Sequence, residues 1–324
     1  MNSSNLIRPI LKAIAEIKLS TVLRHLGAPL LGLAVFLMIW QFASQRIDTS
    51  LGTFPGPLEV VEQAGNLFDE HQAQRERGRI FLERQEERIT ARLAEDPTWQ
   101  PVRRSYTGSP TFIDQVGTSL FTVLAGFVLA SLMAIPLGIV MGLSRFVHNA
   151  VNPIVQIFRP VSPLAWLPLV TLVVAAVYTS EDPMFSRSFV VSMFTVTLCC
   201  LWPTLINTAV GVTTVSPDLN NVSKVLRLSW FTHVRKIVLP SAIPMMFAGL
   251  RVSLGIAWMV LIAAEMLAQN PGLGKFVWDE FQNGSSESLS RIMTAVIAIG
   301  LIGFVLDRVM LLVQRKVDWQ AGAK

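Results

Sequence analysis

The sequence predicts an all-α membrane protein with six transmembrane helices, on three observations. Hydrophobic residues fill 52% of the 324 positions and charged residues only 15%, against the roughly 25% charged expected of a soluble globular chain. Six apolar stretches meet or approach the roughly 20 residues that a spanning helix needs. The Lys and Arg residues of the short connecting segments fall almost entirely on one side of the resulting topology. Helices are the expected spanning form because each backbone N–H and C=O must find its partner inside the segment where water is absent.

The N-terminal segment, 1–25, precedes the first apolar run. Over residues 5–24, Leu6, Ile10, Ile14 and Ile17 share one helical face while Arg8 and Lys12 lie elsewhere. This reads as a cytoplasmic amphipathic helix lying at the membrane interface, or as an ordinary solvated helix start. A cleavable signal peptide is not expected, since no small-residue cleavage pattern follows the first apolar run.

The apolar stretches run over 26–43, 116–143, 161–178, 189–210, 242–268 and 292–313, and the first four contain no charged residue. The second is long enough to tilt, or to begin as an interfacial piece around Ser119. With the N-terminus inside, 14 Lys and Arg fall in the inner segments: four in 1–25, Arg145 and Arg159, four in 211–241 and four at the C-terminal end. The short outer loops hold only Arg187, Lys275 and Arg291. Both termini are therefore expected in the cytoplasm.

The loop 46–113 carries nine Arg against 11 Asp plus Glu and is too long to enter that count. It is expected to be periplasmic. Phe54-Pro55-Gly56-Pro57 makes a rigid turn, and Leu58, Val61 and Leu67 have the spacing of a short surface helix. From Asp69 to Leu93 the chain becomes rich in Arg and Glu, with charges three and four residues apart such as Arg84 and Arg88. Such a charged insert forms a solvated helix, serving as a docking surface for a soluble partner or having no dedicated role.

The remainder, 114–315, is a five-helix core interrupted by a polar, basic segment at 211–241, and 316–324 is a cytoplasmic tail. In that segment Ser216-Pro217-Asp218 is a helix start, with a capping hydroxyl, a proline at the first position and an acid at the positive end of the dipole. Leu219, Val222, Val225 and Leu226 make an apolar stripe beside Lys224 and Arg227. A break at Leu228 and Ser229 leads to a second short helix, Trp230 to Val238, ended by Leu239-Pro240. An exposed knob with apolar and basic faces marks a protein interface, the alternative being a loop that folds back on its own bundle.

Several function classes are excluded by what is missing. The sequence offers no nucleophile, acid–base pair or phosphate-cradling glycine loop, so it is not read as an enzyme. Cys199 and Cys200 are adjacent in an apolar span, where a disulfide is geometrically poor. His25, His71, His148 and His233 show no ligand spacing, so no metal is expected. No aromatic-interleaved basic patch points to nucleic acid.

Asn221-Val222-Ser223-Lys224-Val225-Leu226-Arg227 followed by Ile237-Val238-Leu239-Pro240 resembles the cytoplasmic coupling-loop motif of ABC-importer permeases. The usual form is Glu-Ala-Ala, three residues, Gly, nine residues, Ile, one residue, Leu-Pro. Asn221, Ser223 and Arg227 depart from it. Where the family's Gly adopts a left-handed conformation, Arg227 would cost roughly 1–2 kcal/mol.

Gly249 to Trp258, Ala263-Ala264-Glu265, Phe54-Pro55-Gly56-Pro57, and Arg159-Pro160 with Pro163 to Leu169 resemble the nitrate, sulfonate and taurine branch of these permeases. Ala268 to Gly274 and Trp278 to Asn283 resemble its nitrate, nitrite, cyanate and bicarbonate subgroup.

The resemblance implies a type I ABC-importer permease fold and ATP-driven import of a small inorganic anion, nitrate or nitrite first. A sulfonate or taurine permease is the neighbouring reading, and an ATP-independent secondary carrier the reading from another class. The implied partners are two cytoplasmic ABC ATPase subunits, a periplasmic or lipid-anchored anion-binding protein and a second permease copy in a homodimer. ATP and Mg²⁺ belong to the ATPase, and this chain binds no cofactor.

The implied ATPase-coupling residues are Asn221, Val222, Ser223, Lys224, Val225, Leu226, Arg227, Leu228 and Trp230. For the substrate path, Arg251, Gly255, Trp258, Ile262 and Glu265 recur every three or four residues along one stripe of the fifth span. Ionisable residues inside spans rarely face lipid. Arg251 is expected to attract an anion, or to snorkel to the inner interface. Glu265 is expected to partner a donor on a neighbouring helix or to act at a gate. Asp307 and Arg308 read as an interface anchor.

Overall fold

The computed structural model describes residues 27–49, 52–180 and 183–317. The amphipathic helix expected over 5–24 and the tail beyond residue 317 lie outside them. The described chain runs α1 (Ala28–Ser44), a ribbon of β1 (Asp48–Thr49) and β2 (Gly52–Thr53), α2 (Pro57–Glu95), α3 (Phe112–Leu143), α4 (Arg145–Phe158), α5 (Pro163–Val177) and α6 (Arg187–Thr213). It continues with α7 (Pro217–Val225), α8 (Trp230–His233), a π-helical turn (Val234–Val238), α9 (Leu239–Ala268), α10 (Leu273–Asn283) and α11 (Ser288–Val317).

Each of the six apolar stretches carries a helix. Four helices are long and apolar enough to cross a membrane: α3, α6, the continuous helix Trp230–Ala268, and α11. α4 and α5 are together apolar and long enough for one more span, but the pair is bent by 102°. α1 is uncharged and largely apolar but 17 residues long.

α6 is the axis of the bundle and packs along both α3 and α9. The core between them joins Val123, Phe127, Ala130 and Ala134 of α3 to Val196, Cys200 and Leu205 of α6 and to Ala257 and Leu261 of α9. Small residues set how close the helices come. A Cβ placed on Gly142 would lie 2.6 Å from Val212 Cβ. Close backbone approach of this kind is how helices gain dispersion contact where burial from water offers no drive.

Three features differ from the sequence expectation. α3 is one continuous helix that starts at Phe112, four residues before the apolar run, and buries Ser119 fully. The segment holding Arg145 and Arg159 is a helix, α4, and the turn into α5 is sharp. Pro163 disfavours helical backbone in the residue before it, and Ser162, extended at ψ 140°, caps α5 by accepting a hydrogen bond from Leu164 N at 3.3 Å. The outer loop holds one 39-residue helix, α2, and not two separate pieces.

α2 is about 58 Å long at the α-helical rise. Its first half packs on α11 and α10, with Leu67 against Phe276 and Ala295. Its second half carries the charged insert, and the chain returns beside it: Arg104 N donates to Gln85 Oε1 at 2.9 Å and Tyr106 packs on Phe81. Glu76 sits below the usual carboxylate range because Arg79 donates to it. This hairpin adjoins the end of the bundle where α3, α6 and α11 begin. The segment 211–241 occupies the opposite end.

Candidate functional site

The segment between α6 and α9 is built from two short helices and a turn with defined hydrogen bonding. Ser216 caps α7 by accepting from Asp218 N at 3.3 Å, and Pro217 takes the first helical position. At the other end Leu228 N donates to Ser223 O and Arg227 N to Lys224 O, both at 3.1 Å. These two bonds define a Schellman motif, which needs a left-handed residue after the cap. That residue is Arg227, at φ 48°.

The bend therefore stands where the family motif carries Gly, and a non-glycine residue adopts the conformation. Ser223 is buried between the helices, with its Oγ 2.8 Å from His233 Nδ1. Ser229 caps α8, accepting from Thr232 N at 3.4 Å. The second helix does not stop at Leu239-Pro240 as its sequence suggests. Leu239 N donates to Val234 O across the π turn, and the helix continues into α9. Widening by one residue lets the helix pass Pro240, which lacks an N–H and crowds the carbonyl four residues back.

Leu228, Ile237 and Val238 anchor the unit to Val212, Val215, Ala242 and Met246 at the end of the bundle. The outward face is left bare: Val225 is 81% exposed, Leu226 63% and Trp230 64%. Lys224, Arg227, Arg235 and Lys236 are exposed around it. Asn221 and Val222 are exposed on the same helix. Phe231, 66% exposed, belongs to this surface and was not singled out by motif spacing. An adjacent pair of exposed aromatics was the signal available.

The stripe along α9 divides between two neighbours. Arg251 is paired with Asp307 of α11, donating from Nε at 3.0 Å and Nη2 at 2.9 Å to Oδ1. Trp258 is buried and donates from Nε1 to Ile299 O at 3.0 Å, also on α11. Gly255 faces open space and Ile262 is half-buried against the core.

Glu265 is 1% exposed. Its carboxylate accepts from Ser119 Oγ of α3, at 2.8 and 2.9 Å, and from Gly274 N at the start of α10, at 2.9 Å. Leu273 N donates in turn to Ser119 Oγ at 2.9 Å. A carboxylate at a helix N-terminus is held by the free N–H groups and the dipole together. One side chain thus ties three helices at the hairpin end. A Cβ on Gly274 would collide with Ile262 O.

A bundle of long apolar helices with an exposed two-helix unit at one end is the architecture of a membrane-embedded subunit. Residues 134–319 match the family described as the inner membrane component of binding-protein-dependent transport systems, and the chain belongs to it. It is a multi-pass inner-membrane permease subunit of an ABC importer, not itself an enzyme. ATP hydrolysis belongs to a separate subunit, and a binding protein delivers the cargo.

The chain is 33% identical to the nitrate import permease protein NrtB of Synechococcus elongatus, over 88% of each chain. It is 34% identical to the bicarbonate transport system permease protein CmpB of the same organism, over 89% of this chain and 87% of that one. Among solved structures, a chain of the MetNI methionine ABC transporter in an inward-facing conformation is similar. Its TM-score is 0.56 at 14% identity, covering 63% of this chain and 95% of that one. That likeness concerns the fold.

Proposed function

We propose that this chain forms half of the membrane path through which a small inorganic oxyanion, nitrate or nitrite first, is imported at the expense of ATP bound and hydrolysed elsewhere. The observation that carries the coupling role is the bare face of Val225, Leu226, Trp230 and Phe231 on a unit pinned to the bundle by Leu228, Ile237 and Val238. Fully burying such side chains contributes about 1.5–3 kcal/mol each. A soluble subunit docked there would push on α6 and α9 directly.

Asn221, Val222, Ser223, Lys224, Val225, Leu226, Arg227, Leu228 and Trp230 are assigned to that contact. ATP and Mg²⁺ bind the ATPase and not this chain. The inside excess of Lys and Arg favours a cytoplasmic face for the knob and for both termini. The α2 hairpin then faces outward, toward an anion-binding protein, and a second permease copy completes the path as a homodimer.

Nitrate and bicarbonate relatives favour an inorganic oxyanion over a sulfonate or taurine. A family defined by binding-protein dependence disfavours an ATP-independent carrier. Uptake of isotopically labelled nitrate into proteoliposomes holding the assembled importer tests the reading. Nitrite or bicarbonate is expected to compete and taurine is not. Competition by taurine alone would transfer the protein to the sulfonate reading.

A further inference from the structure

We propose that the groove between α4 and α6 is an oxyanion-binding site at the coupling-loop end of the path, with Arg159 as its charged residue. The proposal rests on the anion-import reading and deepens it. The groove holds about 390 Å³ and is walled by Met141 of α3 and by Ile206, Ala209, Val210 and Thr213 of α6. Opposite them stand His148, Asn152, Gln156 and Arg159, spaced four, four and three residues apart and therefore on one stripe of α4.

α4 has three distinct faces. Val147, Val151 and Val155 pack into the core. Phe146, Ile154 and Ile157 are exposed, as suits lipid. The polar stripe turns to neither and lines the groove. An amphipathic helix resting at the membrane surface needs two faces, and the third has to be accounted for by what it encloses.

The chemistry of the lining is one-sided. No carboxylate faces the groove. Among the described residues, the side chains of His148, Asn152, Gln156 and Arg159 have no hydrogen-bond or ion-pair partner. Within the bundle, by contrast, Arg251 is paired with Asp307, and Arg291 with Glu70 and Glu280. Arg159 retains an uncompensated charge and a planar fork of donors suited to a planar oxyanion.

An aromatic cluster that can report on the site lies beside it. Phe158 is flanked by the rings of Trp166 and Trp202, with centroids at 5.7 and 6.4 Å. Trp202 sits one turn before Ile206 on α6 and is 9% exposed. Both indole N–H groups are buried and unpartnered. Neither indole lines the groove, so the pair would sense an anion through Phe158, the residue next to Arg159, and not by contact with it. Nitrate has three acceptor oxygens and no donor; bicarbonate presents nearly the same shape.

The test uses the assembled importer in lipid nanodiscs, with tryptophan emission titrated by nitrate, and labelled nitrate and bicarbonate uptake measured in parallel. The expected result is a saturable emission change that is lost when Trp166 and Trp202 are both replaced by Phe. Arg159→Gln is expected to raise the half-saturating nitrate at least tenfold, and Arg159→Lys to stay within about threefold of the parent. Lys275→Gln, at the opposite end of the bundle, should leave the titration unchanged.

A titration indifferent to Arg159→Gln, in a parent that transports nitrate, overturns the groove and leaves the anion reading standing. A parent that moves neither nitrate nor bicarbonate removes both.

Discussion

Arg251 of α9 and Asp307 of α11 meet 56 positions apart in sequence, with the guanidinium Nη2 2.9 Å from Oδ1 and 3.2 Å from Oδ2. The pair is partly exposed on both sides. Its strength should therefore lie between the about 0.5 kcal/mol of a surface ion pair and the about 3 kcal/mol or more lost when a buried pair is broken. Arg251→Gln and Asp307→Asn are each expected to lower the thermal midpoint of the solubilised protein. The double substitution should recover much of the loss, with a coupling of roughly 1–2 kcal/mol. Additive losses would mean that the two side chains contribute separately.

Leu226→Asp or Trp230→Asp should release the ATPase subunit while leaving membrane insertion and the midpoint of unfolding unchanged, since both side chains are exposed and support no core contact. Co-purification at parental yield after either change would remove this face from the coupling step.

Arg227→Gly should stabilise the permease by about 1 kcal/mol, because glycine adopts the left-handed conformation without the Cβ penalty. Slower amide exchange at Leu228, whose N–H closes the Schellman motif, is the sharper measurement. Faster exchange there would show that the Arg227 side chain itself holds the bend.

Gly274→Ala places a methyl group against Ile262 O and the Glu265 side chain. A loss on the order of 2–3 kcal/mol is expected from such overpacking. Ser119→Ala removes one donor from Glu265 and the acceptor of Leu273 N, so it should loosen α10 more than the bundle. Hydrogen exchange confined to 270–283 would report this, and uniform exchange across α9 would argue against a local tie.

Much of the architecture was legible in single stretches of sequence. Every apolar run became a helix, and Ser216-Pro217-Asp218 announced α7 because caps and first-turn residues act over four or five positions. The π turn at Val234–Val238 was not legible, since Leu239-Pro240 reads equally as a stop. Nor was the length of α2, whose charged half shows no core-facing pattern and is held by Arg104, Tyr106 and the returning chain. His233 beside Ser223 had no motif to mark it.

What the sequence determined alone was the solvent of this protein, its helices, its charge asymmetry and a break near Leu228 and Ser229, next to the left-handed Arg227. These follow from composition and from interactions within one turn of helix. Only the tertiary structure decided that Arg251 is neutralised by Asp307, that Glu265 ties α3 to α10 through Ser119, and that Arg159 looks into a groove with no carboxylate. Whether a charge within a span is compensated depends on residues 56 to 146 positions away, brought within 3 Å by packing that no local pattern encodes.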